Sequence, residues 1–246
     1  MVKLRRIKIK GVIMQKWNGK NKAITFSFDD GCLQDLRTIE ILDKYGLKAT
    51  FNLNSARLGL KSTLDRNGRI VDFNKVNPMD VRETYKNHEV AVHSLTHECL
   101  PKLSDEAVIW QVEQDRKILS ELVGYNVECM AYACGGENND DRVAKVIREH
   151  TGVKFARTIT SSFSFDIGEN YYRYNPSVYI IEEKELFELG EKFINLKTDK
   201  PQLFYVWGHT FEMDAEYITW QRFEEFCKLV SNKDDIFYGT NGEVLL

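Results

Sequence analysis

Short apolar runs alternate along the chain with longer amphipathic stretches. The apolar runs have the β-branched and aromatic content of buried strands, whereas apolar residues in the longer stretches recur at helical spacing. The predicted strands lie at residues 23–28, 48–54, 89–92, 127–132, 153–160, 201–210 and 235–239. The predicted helices lie at residues 33–45, 79–87, 105–123, 140–150, 183–196 and 218–230. This alternation implies right-handed crossovers and a parallel sheet.

The number of predicted strands indicates one α/β domain. About seven parallel strands in 246 residues fit a single-domain distorted (β/α) barrel, closed or incompletely closed, with a doubly wound open sheet as the structural alternative. No internal repeat or linker divides the sequence. We therefore expect one domain over residues 1–246, in which residues 1–22, with their alternating basic run, form an N-terminal edge segment.

Two segments lack clean periodicity. Gly59 and Gly68 interrupt the charged stretch from Arg57 to Asn77, and the stretch from Phe163 to Tyr179 is rich in aromatic residues. Long irregular insertions commonly carry function. We expect the first segment to form a lip over a binding site, and both segments to select the ligand.

Composition and charge exclude several classes of function. The net charge of −3 gives no electrostatic basis for nucleic-acid binding. No apolar segment approaches the ~20 residues that span a bilayer, and GVIMQKW is too short and polar for a signal-peptide core. We expect a soluble, cytoplasmic protein without a membrane partner. The five scattered cysteines, with no C-x-x-C pair, favour a reducing compartment over a disulfide framework.

Polar residues follow the carboxyl ends of four predicted strands. Asp29 and Asp30 end the first strand, His93 ends another with His97 four residues later, a Cys-Gly-Gly turn ends the next, and His209 follows a late strand. These ends share one face of a parallel α/β fold, and that face carries the active site. We expect the side chains to converge there.

The two adjacent aspartates suggest a cation or strong hydrogen-bond donors, because burying an unpaired carboxylate costs several kcal/mol or more. The alternative is a solvated turn in which Asp30 caps the following helix. Histidines at i and i+4, as in HSLTH, can share a metal, although many such pairs only hydrogen-bond in a core or lie on a surface. Asp30 on the same face completes a two-histidine, one-carboxylate set with His93 and His97, which favours metal binding.

Together, TFSFDDG, HSLTH and the late His209 resemble the polysaccharide deacetylases. This is carbohydrate esterase family 4, also described as the nodulation-type chitooligosaccharide deacetylase homology domain. The resemblance runs from about Ala23 to His209, which is most of the chain. The distorted (β/α) barrel of that family agrees with the strand count.

The resemblance implies a role for each residue at this face. Asp30, His93 and His97 would bind a divalent metal, Asp29 would be the general base and His209 the general acid. A cation lowers the pKa of bound water towards ~7 and polarises an amide carbonyl. An amide needs a proton on its departing nitrogen, which a histidine can donate. The alternative for His209 is a buried histidine bonded to a carbonyl group.

The third family motif is altered in this sequence. It reads arginine, any residue, proline, aromatic, glycine in the family, whereas residues 131–135 read AYACG. Cys134 can still supply the backbone N–H that serves as oxyanion donor. The arginine that orients the base is absent, and we predict that Arg157 supplies the same charge from the next strand. The alternative is a salt bridge of Arg157 at the barrel rim.

Other positions receive weaker assignments. Asp166 is the nearest match by position for the aspartate of the fourth motif. Trp207 and Tyr132 are assigned to the substrate pocket, where Trp207 would wall the site of the acetyl methyl group, with a core aromatic as its alternative. A thiol nucleophile at Cys134 or Cys32 is disfavoured, because nothing in the sequence pairs a base with either cysteine.

The expected activity is metal-dependent removal of an N-acetyl group from an amino sugar, oligosaccharide or polysaccharide. The donor set suits zinc first, and cobalt, nickel or iron as well. The expected partner is an N-acetylated sugar. One alternative is a metal-dependent hydrolase of a cyclic amide or another small C–N substrate, and a second is an inactive carbohydrate-binding relative.

Overall fold

Strands and amphipathic helices alternate along residues 16–246, the part of the chain that the computed structural model describes. The strands are β1 (Lys22–Asp29), β2 (Ala49–Leu53), β3 (Thr63–Arg66), β4 (Arg69–Asp72), β5 (Glu89–Val92), β6 (Cys129–Ala131), β7 (Phe155–Arg157), β8 (Val178–Tyr179), β9 (Gln202–His209) and β10 (Ile236–Tyr238). The helices are α1 (Lys16–Gly19), α2 (Asp35–Lys44), α3 (Val81–Thr84), α4 (Asp105–Val123), α5 (Asp141–His150), α6 (Glu183–Asn195), α7 (Phe211–Asp214), α8 (Trp220–Val230) and α9 (Asn241–Leu245). Short 3-10 turns occupy Ser55–Arg57, Pro78–Asp80 and Leu100–Lys102.

The main sheet is entirely parallel, as predicted. Its strand order is β7-β6-β5-β2-β1-β9-β8. One edge of β1 pairs with two strands in turn: β10 pairs with its first residues and β2 with its last residues. Strand β9 pairs with β1 over its whole length, which sets Asp29 opposite His209. The register of two neighbouring strands thus brings the first and last motif residues to the same end of the sheet.

The sheet curls into the predicted distorted (β/α) barrel. At one edge, Arg157 of β7 forms a bridge with Tyr174, and the same segment continues into β8, which pairs with β9. This segment spans part of the gap between β7 and β9, so the barrel is incompletely closed. All seven predicted strands are present. The sequence prediction did not include β8 or the antiparallel hairpin β3–β4 inside the segment 57–77.

The two faces of β1 show why these residues form a barrel strand. Ile24, Phe26 and Phe28 belong to the core between the sheet and the helices, where Phe28 meets Phe223 edge to face at 6.0 Å. Each fully buried phenylalanine contributes roughly 1.5–3 kcal/mol. The alternate residues are polar and lie inside the barrel, where Ser27 accepts a hydrogen bond from Asn52 Nδ2 at 2.8 Å. The barrel interior therefore carries polar groups up to its carboxyl end.

The helix ends are built largely as the sequence indicates. Ser104 caps α4 by accepting from the backbone N–H of Ala107, and Gly124 ends the helix with φ of 82°. Asp30 is not a helix cap, because α2 starts at Asp35 after Gln34. Asn241 opens α9 behind a reciprocal Thr240–Glu243 capping box.

Two further predictions concern the N-terminal segment and membrane-spanning helices. Residues 1–15 of the predicted N-terminal edge segment lie outside the described residues, whereas residues 16–22 contain α1 and the first residue of β1. Among residues 16–246, the structure contains no helix that is both long and apolar enough to cross a bilayer.

The cysteine expectation is wrong for one pair. Cys99 and Cys134 form a disulfide, while Cys32, Cys129 and Cys227 are buried and unpaired. The pair lies in loops that follow β5 and β6, so its partners meet only when the two strand ends come together. The cysteine pattern consequently gives no argument for a reducing compartment.

Candidate metal centre and its catalytic residues

Asp30, His93 and His97 come together at the carboxyl end of the sheet. Each offers one ligand atom, and these atoms lie within 4.8 Å of one another. Asp30 follows β1 with φ of 81°, His93 follows β5 directly, and His97 has φ of 67° in the loop beyond it. The left-handed backbone at two of the three positions turns the chain back at the strand ends, where the side chains meet.

The donor groups fit a divalent cation. Asp30 Oδ1 is buried without a hydrogen-bond partner among the described residues. His93 Nδ1 lies 2.9 Å from the carbonyl oxygen of Ala131. A carbonyl oxygen can only accept, so Nδ1 carries the proton and Nε2 keeps its lone pair for a ligand. Two imidazoles and a carboxylate suit zinc and its neighbours.

Burial and neighbouring charges favour the ligating protonation states. Burial lowers the pKa of His93, and burial, with a smaller effect of the neighbouring His93 ring, lowers the pKa of His97 to about 4. Both imidazoles are therefore neutral at pH 7. Burial raises the pKa of Asp30, but Lys75 and the nearby histidines outweigh it, so the net shift is downward. The Asp30 side chain is a carboxylate.

Lys75 is a buried cation beside this cluster that the sequence analysis did not identify. Its Nζ lies 3.7 Å from Asp30 Oδ1 and 3.4 Å from the centre of the Phe73 ring. It comes from the charged segment after the β3–β4 hairpin, where nothing in the local pattern marks a lysine as buried.

Asp29, the predicted base, is buried between two donors. Arg157 Nη2 donates to both carboxylate oxygens, at 2.6 Å for Oδ2, and Asn52 Nδ2 donates to Oδ1 at 2.8 Å. Arg157 is itself fully buried, and its guanidinium lies 4.6 Å from the centre of the Trp207 ring. The structure thus places the guanidinium against Asp29 and not at the solvent-exposed rim.

Asn52 was missed in the sequence analysis, although a signal was present. Thr50 and Asn52 alternate with Phe51 and Leu53 in a fully buried strand, which indicates one polar and one apolar face. The polar face of β2 lies inside the barrel beside Ser27 and Asp29.

His209, the predicted acid, is held by Glu212. Its Nδ1 lies 3.1 Å from Glu212 Oε1, and its backbone N–H donates to Glu212 Oε2 at 2.9 Å. Its Nε2 lies on the other side, 4.0 Å from Asp30 Oδ2. Burial lowers the pKa of His209, but the carboxylates of Glu212, Asp30 and Asp29 together outweigh it and raise the pKa to about 9. The imidazole is protonated at neutral pH, and within residues 16–246 its ring nitrogens contact Glu212 and Asp30 rather than a carbonyl group.

The fourth-motif assignment to Asp166 is wrong in position. Asp166 accepts a hydrogen bond from Gln202 Nε2 at 3.0 Å, at the start of β9. Seven residues at ~3.3 Å each separate that point from His209, or about 23 Å. Glu212 takes the place beside the histidine because the short helix α7 begins right after β9 and turns its first residues back.

One cavity of about 550 Å³ is lined by the candidate metal ligands and by the residues beside them, Asp29, His209 and Glu212. The predicted lip contributes Arg57, Leu64, Arg66 and Phe73 to its wall. This volume lies within the range of about 300–1,000 Å³ in which proteins bind small ligands.

The two predicted pocket aromatics differ in what they present to the cavity. Trp207 stacks on Tyr179 with ring centres 4.1 Å apart, and both line the cavity. Tyr132 also lines it, but its hydroxyl donates to the carbonyl oxygen of Tyr172 at 2.7 Å. The Tyr132 hydroxyl therefore uses its proton in a hydrogen bond within the protein.

Cys134 lies on the cavity wall in a left-handed conformation with φ of 70°. Its carbonyl oxygen accepts from Asn138 Nδ2 at 2.8 Å, and its sulfur is bonded to Cys99. A disulfide sulfur carries no thiolate, and burial raises the pKa of the Cys32 thiol. Neither cysteine is thus set up as a nucleophile.

Comparison with known proteins defines the family. A family model described as polysaccharide deacetylase matches residues 16–155, more than half of the chain. The chain belongs to the polysaccharide deacetylase family. No curated protein sequence matches it.

Solved structures of related CE4 proteins share the fold of this chain. The CE4 domain of a multidomain xylanase from the hindgut metagenome of Trinervitermes trinervoides is 16% identical, with a TM-score of 0.56 over 91% of this chain and 89% of that chain. A CE4 family pseudoenzyme from Bacillus anthracis is 17% identical, with a TM-score of 0.53 over 92% of this chain and 66% of that one.

A polysaccharide deacetylase from Bacillus cereus is considerably longer than the region it shares with this chain. It is 18% identical, with a TM-score of 0.49, and the match covers 61% of this chain but only 44% of that chain.

Proposed function

We propose that this member of the polysaccharide deacetylase family is a metal-dependent hydrolase that removes N-acetyl groups from an amino sugar or oligosaccharide. The supporting observation is the arrangement of a candidate base and a candidate acid around the Asp30, His93 and His97 cluster. Asp29 Oδ2 lies 3.9 Å from His93 Nε2, and His209 Nε2 lies 4.0 Å from Asp30 Oδ2.

In this proposal, Asp30, His93 and His97 would hold zinc or a related divalent ion. Such an ion supplies charge that polarises an amide carbonyl and lowers the pKa of water towards ~7. The supporting atoms are Asp30 Oδ1, which is buried and accepts no hydrogen bond within residues 16–246, and the unprotonated Nε2 of His93.

Asp29 would accept a proton from the attacking water. Arg157 and Asn52 keep its carboxylate in one orientation from two sides, and a fixed base needs no reorganisation at the moment of reaction. In this proposal, Arg157 orients Asp29 in place of the arginine that the third motif lacks in this sequence.

His209 would protonate the departing amine through Nε2. Glu212 binds Nδ1 on the far side, which fixes the ring orientation and keeps the proton on the ring. The backbone N–H of Cys134, at the cavity wall, would donate to the developing oxyanion. Trp207 and Tyr179 would wall the pocket for the acetyl group.

The test is acetate release from a panel of N-acetylated amino sugars and oligosaccharides by the metal-loaded protein. We expect release from at least one of them, and a loss of about 100-fold or more in Asp29→Asn, which keeps the shape but removes the base. No release from any sugar at full metal content would contradict the proposal.

The same panel separates the alternatives. Turnover of cyclic amides in place of acetylated sugars would assign a different C–N substrate, and binding of sugars without turnover would assign a carbohydrate-binding role. We favour an active enzyme, although a pseudoenzyme shares the fold, because this chain carries a candidate metal cluster, a base and an acid in one cavity.

A further inference from the structure

We propose that Arg57 and Arg66 bind an anionic group, a carboxylate or a phosphate, carried by the substrate. The inference rests on the proposed function and adds the chemical class of sugar that the site selects. Its basis is the pair of arginines that line the cavity beside the candidate metal cluster.

The two arginines reach the cavity from different elements of the lip. Arg57 ends the 3-10 turn that follows β2, and its backbone N–H donates to the carbonyl oxygen of Asn54 at 2.9 Å. Arg66 ends β3 in the hairpin. Both line the same cavity as Asp30 and His97, so a ligand in this cavity meets a wall that carries both arginines.

Every carboxylate that lines the cavity is already engaged. Asp29 is paired with Arg157, Asp30 lies beside Lys75 and two histidines, and Glu212 binds His209 and the hydroxyl of Tyr179. Each of these negative charges thus has its positive or hydrogen-bonding partner within the protein.

The two lip arginines have no such partner. Across residues 16–246, neither guanidinium lies within 4.0 Å of a carboxylate, and residues 1–15 contain no aspartate or glutamate. Arg66 Nη1 donates to the backbone carbonyl oxygen of Asp65 at 2.9 Å, which leaves its charge uncompensated. By contrast, Arg69 on the same hairpin forms an ion pair with Glu216.

A pair of uncompensated guanidinium groups suits an oxyanion. The planar fork of arginine matches the oxygens of a carboxylate or a phosphate and binds them through charge-assisted hydrogen bonds. An acidic substituent on the reacting sugar or on its neighbour would provide this group. The contacts form equally before and during reaction, so they act on KM rather than on kcat.

The test compares acetate release from matched oligosaccharides that are neutral, carboxylated or phosphorylated. The proteins are the wild type, Arg57→Gln, Arg66→Gln and the control Arg69→Gln. We expect a higher kcat/KM for an anionic substrate than for the neutral one. That preference should fall about tenfold in each of the first two variants, through KM, and stay unchanged in the control.

The three kinds of oligosaccharide identify the anion and test the inference. Preference for the carboxylated or the phosphorylated substrate names the source of the charge, and added salt should weaken that preference. Equal kcat/KM for neutral and anionic substrates, or equal losses on both in the two variants, would overturn the inference while leaving deacetylation intact.

Failure of the proposed function gives a different result. In that case no substrate releases acetate, and calorimetric binding of the same three oligosaccharides to the same four proteins decides the question. Tighter binding of an anionic ligand that both lip variants weaken would support the anion site, whereas equal binding of all three ligands would refute it.

Discussion

Arg157 and Asp29 form a fully buried ion pair inside the barrel. Removing one partner of such a pair leaves an uncompensated charge, which typically costs 3–5 kcal/mol of stability. Arg157→Ala would therefore mix a folding defect with a catalytic one. Lysine retains the charge, but its single nitrogen cannot reproduce both sets of Arg157 contacts, in which Nη2 donates to the two carboxylate oxygens and Nη1 donates to the carbonyl oxygen of Thr158 at 3.0 Å.

We expect Arg157→Lys to lower kcat by roughly 10- to 100-fold while metal content stays normal, because Asp29, the proposed base, loses its fixed orientation. The measurement is kcat together with metal analysis of the purified variant. Arg173→Lys, at a half-exposed ion pair with Asp141, serves as the control. Full activity of Arg157→Lys would show that the guanidinium does not orient the base.

A second residue-scale prediction concerns Glu212. Glu212→Gln keeps the side-chain length but removes the negative charge that holds the proton on His209. We expect kcat to fall about tenfold or more with unchanged metal content. Glu216→Gln, at an exposed ion pair, should behave like the wild type. A wild-type kcat in Glu212→Gln would show that the charge of Glu212 is not needed to keep His209 protonated for the reaction.

Sequence patterns anticipated the residues at strand ends better than their partners. Asp29, Asp30 and His209 stand at the ends of clear strands, and parallel register alone brings them to one edge. Glu212 and Lys75 reach the same place from a short helix and a charged loop. Their positions depend on chain reversals that leave no periodic signal in the sequence.

At the scale of elements, burial explains which strands could be predicted. The eight residues of β1 are all buried. Its apolar side chains face the helices, and polar side chains alternate with them inside the barrel, so the pattern of a strand is clear in the sequence. Strands β3 and β4 are mostly exposed, so their side chains follow no hydrophobic alternation. Strand β8 has only two residues, and its pairing with β9 defines it.

The disulfide joins the loop after His97 to the loop that carries Cys134, across a sequence separation of 35 residues. In the chain-entropy model a loop of that length stabilises the fold by ~4 kcal/mol. We expect reduction to lower the free energy of unfolding by about 2–4 kcal/mol, measured by urea denaturation with and without a thiol reductant. Cys99→Ser should be insensitive to the reductant. An unchanged midpoint on reduction of the wild type would contradict the pairing.

His88 links β2 to the start of β5 far from the metal cluster. The backbone N–H of Ala49 donates to its Nδ1 at 3.1 Å, which requires that nitrogen to be unprotonated. Burial lowers the pKa of His88 to about 4, against 6.5 in the unfolded chain. Between these values the unfolded state binds more protons than the folded state, so stability is complete above pH 6.5 and declines as the pH falls towards 4.

The decline attributable to His88 should reach at most roughly 3 kcal/mol between pH 6.5 and pH 4. The measurement is the free energy of unfolding across this range for the wild type and for His88→Gln, whose amide oxygen can still accept from Ala49. We expect a shallower pH dependence in the variant. Parallel curves for the two proteins would assign the acid sensitivity to other groups.

At the scale of the whole molecule, α/β alternation and the order of the motifs predicted the fold class. They could not show how the barrel edge is bridged, because that contact joins Arg157 to Tyr174 in a segment without periodicity. Nor could they show the wall of the cavity, which is formed by residues from the hairpin, α7 and several strand ends. These features depend on packing between distant segments.

The central claim is that a metal held by Asp30, His93 and His97 enables hydrolysis of an N-acetyl group. The most direct test is a zinc titration of metal-stripped protein, with acetate release from an N-acetylated oligosaccharide measured at each step. We predict no release from the stripped protein, and a linear rise that ends at about one zinc per chain. Full acetate release by protein shown by metal analysis to be stripped would contradict the account.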